Sequence, residues 1–358
     1  MNICIRTDSS VEIGSGHVMR CLVLAEDLRR NQCKVTFICR ELPGNLIKNI
    51  EAHGFKVLSL SFPETAGEGG GLKGWLKSNW DTDAEQTIET LRDQQSINWF
   101  IVDHYALDRR WEHSIKPRVN SLMVIDDLAD RPHDCDLLLD QNLYRDMKGR
   151  YQKLVPEHAT VLTGPKYLLL RQEFRNRRHV KRSCSNVNRI LISFGGSDPT
   201  NETMKALKAI NSLKRPEIAV DVVVGYSNQS YPAIREFCKK MPQTDIHYQI
   251  DYLAELMAKA DLAIGAGGST TWERCYMGLP AVTVETAENQ SEILSFLSEL
   301  GAVYHLGKSR EVQEDDLAIH LQRLLNSSKR FKDMRKATKF IMKDYEEYAV
   351  VKHLTKGE

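Results

Sequence analysis

Position 17 is a histidine standing directly behind two glycines, Gly14 and Gly16, in the run DSSVEIGSGHVMR (8–20). A neutral imidazole can take a proton from water, so a histidine beside a ligand-binding loop is equipped for general base chemistry. Upstream, MNICIRTD alternates and is β-prone; downstream, VMRCLVLAEDLRR carries apolar residues at helical spacing. A strand-to-helix corner of this kind aims backbone N–H groups at an anion, and its partial positive charge favours the neutral imidazole. A histidine that only finishes a helix end is the alternative reading of the same residues.

Two more glycine loops follow strands: FGGSD (194–198) and GAGGST (265–270). The first loop fails the dinucleotide fingerprint, because Met19 stands where G-x-G-x-x-G needs its last glycine and Arg40, not an acid, follows the second strand. None of the three spells G-x-x-x-x-G-K-[ST], which excludes the P-loop. GAGGSTTWE is the phosphate candidate. Gly268 lets the main chain come close, Ser269 and Thr270 open a helix whose first N–H groups are unspent, and Ser269 is expected to cap it. Glu273, one turn on, is placed to accept from a sugar diol; an ordinary capped helix with a first-turn acid is the competing reading. DHY (103–105) and DD (126–127) end buried strands. Asp103, His104 and Asp126 could be imagined as metal ligands, but loop anchoring is the better account, so neither metal nor cofactor is expected.

These side chains must be carried by a scaffold, and composition limits its kind. Of 358 residues, 49 are Lys or Arg and 48 Asp or Glu, so there is no global field to hold nucleic acid or an anionic membrane, and neither is expected as a partner. With 42% hydrophobic and 27% charged residues the chain reads as globular. No run of eighteen apolar residues and no leader-like segment are seen, and eight scattered cysteines without a C-x-x-C pair read as buried free thiols. A cytoplasmic protein is expected.

Strands and helices alternate through the first half: strands at 1–7, 34–40, 56–60, 98–105 and 121–127, with shorter ones at DLLLDQN and ATVLTG. The glycine-rich TAGEGGGLKGW, around 64–74, reads as a surface excursion. The basic stretch RNRRHVKRSCSN (175–186) reads as a linker, after which the alternation restarts, with a helix holding Pro199 near its first turn and a helical tail from about 314. The expected fold is α/β: two doubly wound Rossmann-like domains, 1–174 and 187–358, facing a central cleft.

IRTDSSVEIGSGHVMRCLVLA, DHYALD, YLLLRQEF, ISFGGSD, IGAGGSTTWERCYMGLP and ENQ occur in the order seen in UDP-2,4-diacetamido-2,4,6-trideoxy-β-L-altropyranose hydrolases, which the chain resembles over essentially its whole length. Those enzymes act in pseudaminic acid biosynthesis, for flagellin and surface glycans; the later glycine motifs are shared with GT-B glycosyltransferases similar to the lipid II synthase MurG. The resemblance implies a GT-B fold and inverting, metal-independent release of UDP, with His17 as base. It also implies a UDP-linked diacetamido trideoxy hexose as substrate. By motif, substrate contacts would be Gly14, Gly16, Tyr105, Arg171, Ser197, Gly268, Ser269, Thr270, Glu273, Asn289 and Gln290, with uracil met by main-chain groups near Ile250 and Tyr252. A glycosyltransferase passing the sugar to an acceptor is the rival, and a non-catalytic nucleotide-sugar binder the second. Oligomeric state is not legible.

Overall fold

The structure is a computed structural model that describes residues 1–62, 71–94, 96–177 and 187–356. The chain forms two compact units, Met1–Leu169 with Tyr345–Glu358, and Leu170–Asp344.

The first unit is built on a seven-stranded parallel sheet. Its strands are β1 (Asn2–Thr7), β2 (Lys34–Arg40), β3 (Lys56–Leu60), β4 (Trp99–Asp103), β5 (Ser121–Ile125), β6 (Leu137–Asp140) and β7 (Thr160–Thr163), in the spatial order β3-β2-β1-β4-β5-β6-β7. Side chains alternate between two cores, as a sheet covered on both faces requires. Ile3, Ile5, Ile101, Met123 and Leu139 pack with α1 (Gly16–Arg30), while Cys4, Phe100, Val102, Val124 and Leu138 pack with α4 (Trp80–Leu91) and α5 (Arg109–Ile115). Strand order reverses between β1 and β4. Connections leave these neighbours toward opposite sides, opening the crevice in which doubly wound sheets take ligands.

The second unit repeats the plan with six parallel strands: β8 (Arg189–Ser193), β9 (Ala219–Val224), β10 (Thr244–Tyr248), β11 (Leu262–Gly265), β12 (Ala281–Glu285) and β13 (Val303–Lys308). The order is β10-β9-β8-β11-β12-β13, so its reversal falls between β8 and β11, the two strands that lead into FGGSD and GAGGST.

Several expectations need correction. The tail does not stay with the second unit. α12 (Glu314–Leu325) and α13 (Ser328–Ile341) do, burying Leu317, Leu321, Phe331 and Met334 there. Residues 345–358 return to the first unit, where α14 (Ala349–Leu354) buries Val350, Val351 and Leu354 against the α1 core, and Trp99 Nε1 donates to the Leu354 carbonyl at 2.9 Å. The first boundary likewise falls at Leu169, so Arg171 belongs to the second unit. β13 has no counterpart in the sequence reading: it is an edge strand of mixed polarity whose residues are mostly half-buried, so no apolar run announces it. α7 (Glu202–Ser212) begins after Pro199, with the Asp198 carboxylate accepting from the Glu202 and Thr203 N–H groups at 2.9 Å each. Residues 178–186 of the expected linker and 63–70 of the glycine-rich stretch lie outside the described residues; Gly71–Ser78 form a helix, α3. No helix among the described residues is long and apolar enough to cross a membrane.

The returning tail supplies core to the first unit. Leu354→Ala should therefore lower its unfolding free energy by about 2–5 kcal/mol, the range for large-to-small core changes, in denaturant titrations. An unchanged transition would mean that α14 packs there without stabilising the unit.

Candidate functional site

The β1/β4 reversal brings two distant parts of the sequence together. β4 ends at Asp103, and α1 starts after the turn closed by Gly14, whose φ of +84° is the left-handed conformation glycine adopts without strain. Gly14 N–H donates to the Ser10 carbonyl at 2.9 Å, tightening the loop, while the space around Gly16 is open. His17, in the first turn of α1, is thereby set over the strand end, where its Nδ1 lies 2.6 Å from Asp103 Oδ1.

Asp103 is gripped from a second side. Arg20, one turn along α1, meets it through two nitrogens, Nε to Oδ2 and Nη2 to Oδ1, each at 2.6 Å. Burial alone would raise the Asp103 carboxyl, but the Arg20 guanidinium and His17 outweigh it and hold the group well below the usual carboxylate range. An ionised carboxylate can only accept, so His17 Nδ1 must donate. In the neutral ring the other nitrogen, Nε2, then carries the lone pair. Such a carboxylate–imidazole pair fixes both tautomer and ring direction and leaves a proton acceptor.

Arg20 also reaches Asp127 Oδ2 at 2.9 Å, and Asp127 Oδ1 accepts from the Tyr105 hydroxyl at 2.6 Å. Burial and Asp127 push the Tyr105 phenol upward, so it stays protonated. Its ring stands edge-on to His17 with centroids 4.3 Å apart. Tyr105 thus braces the imidazole, and its hydroxyl is committed to Asp127. Asp126 Oδ1 sits 2.8 Å from Arg131 Nη1, and His104 Nδ1 accepts from the Ala106 N–H at 3.0 Å with Nε2 turned toward Asp8. These are the loop anchors expected of them. At the ends of β1 and β2 lies a sealed ionic cluster. Arg6 bonds Asp8 at 2.5 and 2.8 Å and Asp83 at 2.6 and 3.3 Å, and Arg40 bonds Asp83 at 2.7 Å, all four side chains fully buried. It fills with protein charge the position after β2 where a dinucleotide ribose would need a free acid.

In the second unit the two loops at the β8/β11 reversal present unspent donors. The N–H groups of Gly195, Gly196 and Ser197, and of Gly268 and Ser269, bond to no acceptor among the described residues. The space at Gly195 and Gly268 is open, whereas Gly267 packs against Leu294 and Gln290. Ser269 does not cap: it sits in helical backbone and its hydroxyl makes no capping bond. Glu273 is met by Arg171, Nε to Oε1 at 2.9 Å and Nη2 to Oε2 at 3.1 Å, and Arg171 Nη1 lies 2.7 Å from Glu173. Each Glu273 oxygen keeps a further lone pair for a hydroxyl. Gln290 turns inward, its Oε1 accepting from Gly267 N–H at 3.1 Å and Thr286 N–H at 3.0 Å, so it holds the loop. Asn289 is exposed. The Tyr252 carbonyl is consumed by the start of α9 (Leu253–Lys259), while the main-chain groups of Ile250 and Asp251 bond to no partner among the described residues.

The sequence reading missed Arg20 and the role of Asp103. Arg20 carried a signal, since it is polar and three residues from His17 on one helix face. The His17–Asp103 pairing carried none, being set by sheet order.

With that geometry in place, comparison gives the fold: residues 190–348 match the glycosyltransferase family 28 C-terminal domain, and the chain has the GT-B fold. Acinetobacter baumannii MurG superposes with a TM-score of 0.63 over 99% of this chain and 97% of that one, at 14% identity. The chain is also 25% identical, over 84% of its length and 97% of the relative's, to the UDP-2,4-diacetamido-2,4,6-trideoxy-β-L-altropyranose hydrolase of Campylobacter jejuni. The resemblance drawn from the motifs is thereby supported. An uncharacterised protein of Methanocaldococcus jannaschii is 29% identical over 82% of this chain, which spans 57% of that protein's length.

One group near the dyad titrates in an accessible range. Burial, and then Asp127, push the Asp140 carboxyl up to about 7. The unfolded carboxyl titrates near 4. Between those values the folded protein holds a proton that the unfolded chain releases, so this contribution lowers stability as pH rises. Asp140→Asn cannot ionise. Wild-type stability should therefore fall relative to this variant as pH rises from 5 to 8, followed by chemical denaturation; parallel profiles would show that Asp140 is ionised throughout.

Proposed function

We propose that the protein hydrolyses a UDP-linked diacetamido trideoxy hexose, a step of the kind pseudaminic acid biosynthesis uses, with His17 as general base. The observation that carries this reading is the 2.6 Å contact between His17 Nδ1 and the ionised Asp103, because it leaves Nε2 as a proton acceptor. Nε2 takes a proton from water as the water oxygen bonds to the anomeric carbon on the face opposite the nucleotide. The bond from that carbon to the diphosphate oxygen breaks, and UDP leaves with the electron pair. UDP is a stable anion, so no carboxylic acid is needed to protonate it, unlike an ordinary glycosidic leaving group. Unspent N–H groups of the FGGSD and GAGGST loops offset the charge that develops on the diphosphate. Glu273 takes the ribose hydroxyls and the free main chain at Ile250 the base. The similarity to the Campylobacter hydrolase supports the sugar class.

The match to a glycosyltransferase domain favours a second reading, transfer to an acceptor hydroxyl. The same base would serve, so the readings part on whether water suffices. Purified protein given the UDP-sugar alone should release UDP and free sugar, with solvent ¹⁸O in the sugar and an inverted first-formed anomer by NMR. His17→Asn should lower kcat by about 10²–10⁴-fold, the usual contribution of a positioned base, with substrate still bound. Turnover only with an added acceptor would assign a transferase; near-normal turnover in His17→Asn would remove the base.

A further inference from the structure

Arg274 lies within α10 (Thr270–Tyr276) at 2% exposure, beneath the GAGGST loop. Its Nη2 donates to the Ala266 carbonyl at 2.7 Å and Thr271 Oγ1 at 2.9 Å, its Nη1 reaches Thr270 Oγ1 at 3.5 Å, and its Nε finds no partner. Every one of these partners is neutral. No carboxylate oxygen stands within ion-pair distance of it among the described residues, and adjacent Glu273 is turned to Arg171. Arg6 and Arg40, buried as deeply in the first unit, are each clamped by an aspartate. Burial pulls the Arg274 guanidinium down to about 10, the mark of a cation short of a counter-charge. A buried cation with no carboxylate in direct contact is costly, and the Glu273 charge beside it offsets only part of that cost.

The loop is shaped around that charge. A Cβ at Gly265 would come within 2.4 Å of the Ser193 carbonyl oxygen and 2.9 Å of Arg274 Nη1, so glycine is what lets the guanidinium lie against the strand end. On the same loop, Gly268 faces open space, and the Gly268 and Ser269 N–H groups are unspent. We propose that Arg274 is the fixed counter-charge of an anion site on this loop, whose ligand is the diphosphate of the nucleotide. It acts without touching the ligand, by its field and by pinning the Ala266 carbonyl so that the next N–H groups face outward. It is therefore a positioning residue. The proposal rests on the reading of this unit as a nucleotide site.

Calorimetry on the full chain with UDP, uridine and inorganic pyrophosphate tests it. Arg274→Gln keeps a donor for Ala266 but removes the charge. It should weaken UDP and pyrophosphate by about tenfold or more, as for loss of an interaction with a charged group, and leave uridine unchanged. Arg274→Lys should retain most of the affinity for both anions, and it carries the test if the glutamine variant does not fold. Equal losses for UDP and uridine, or no loss of either anion, would overturn the proposal. If wild type binds neither UDP nor uridine, the nucleotide reading fails; pyrophosphate bound by wild type and lost in Arg274→Gln would then still uphold the anion site, and pyrophosphate bound by neither would end it.

Discussion

The Asp103 carboxylate is the point on which the first unit's chemistry turns. It ends β4 beside β1, so it lies under the first turn of α1, and it is fully buried. Burial of a bare carboxylate would drive it toward the neutral acid, which could not orient an imidazole as a strong acceptor does. Arg20 prevents that with two charge-assisted bonds of 2.6 Å, the strong class of protein hydrogen bond. Loop tightness at Gly14, the helix register of His17 and Arg20, and the Tyr105–Asp127 brace all serve to hold that one carboxylate ionised against one ring nitrogen.

The two units put the same topological feature to different chemical uses. Each has a strand-order reversal. In the first unit the reversal is filled with paired side-chain charges, and the neighbouring ends of β1 and β2 are sealed by the Arg6–Asp8–Arg40–Asp83 cluster. What this pairing orients is the His17 ring, through Nδ1 against Asp103. In the second unit the reversal is lined by glycines with free N–H groups, and the side-chain charges stand behind or beside the loops. In the proposed function one arrangement takes a proton and the other an anion. Hydrolysis of a nucleotide sugar needs both.

Much of this was legible in sequence because it is local. Buried parallel strands such as WFIVD and SLMVI read as apolar runs, and the glycine loops stand out at their ends. Periodicity marked α1 to within a residue or two. What was not legible is what tertiary structure decides. His17 and Asp103 are 86 residues apart and meet only because β1 pairs with β4. The α14 segment has an apolar face that any core could have taken, and nothing local says it returns to the first unit. Ser269 has the residue type of a cap and the wrong backbone for one, while Gln290, which the motif grouped with substrate contacts, spends its oxygen on Gly267. β13 failed to show because an edge strand needs only half its surface buried.

In the neutral ring, Arg20 and Asp103 together would hold the His17 proton on Nδ1 and the lone pair on Nε2. Long-range ¹H–¹⁵N correlation spectra of the imidazole, taken on wild type and on Asp103→Asn at a pH where the ring is neutral, read the tautomer directly. Wild type is expected to show a pyrrole-type Nδ1 and a pyridine-type Nε2, with that preference lost in the variant. A wild-type ring protonated on Nε2, or a spectrum unchanged by removing the Asp103 charge, would contradict it.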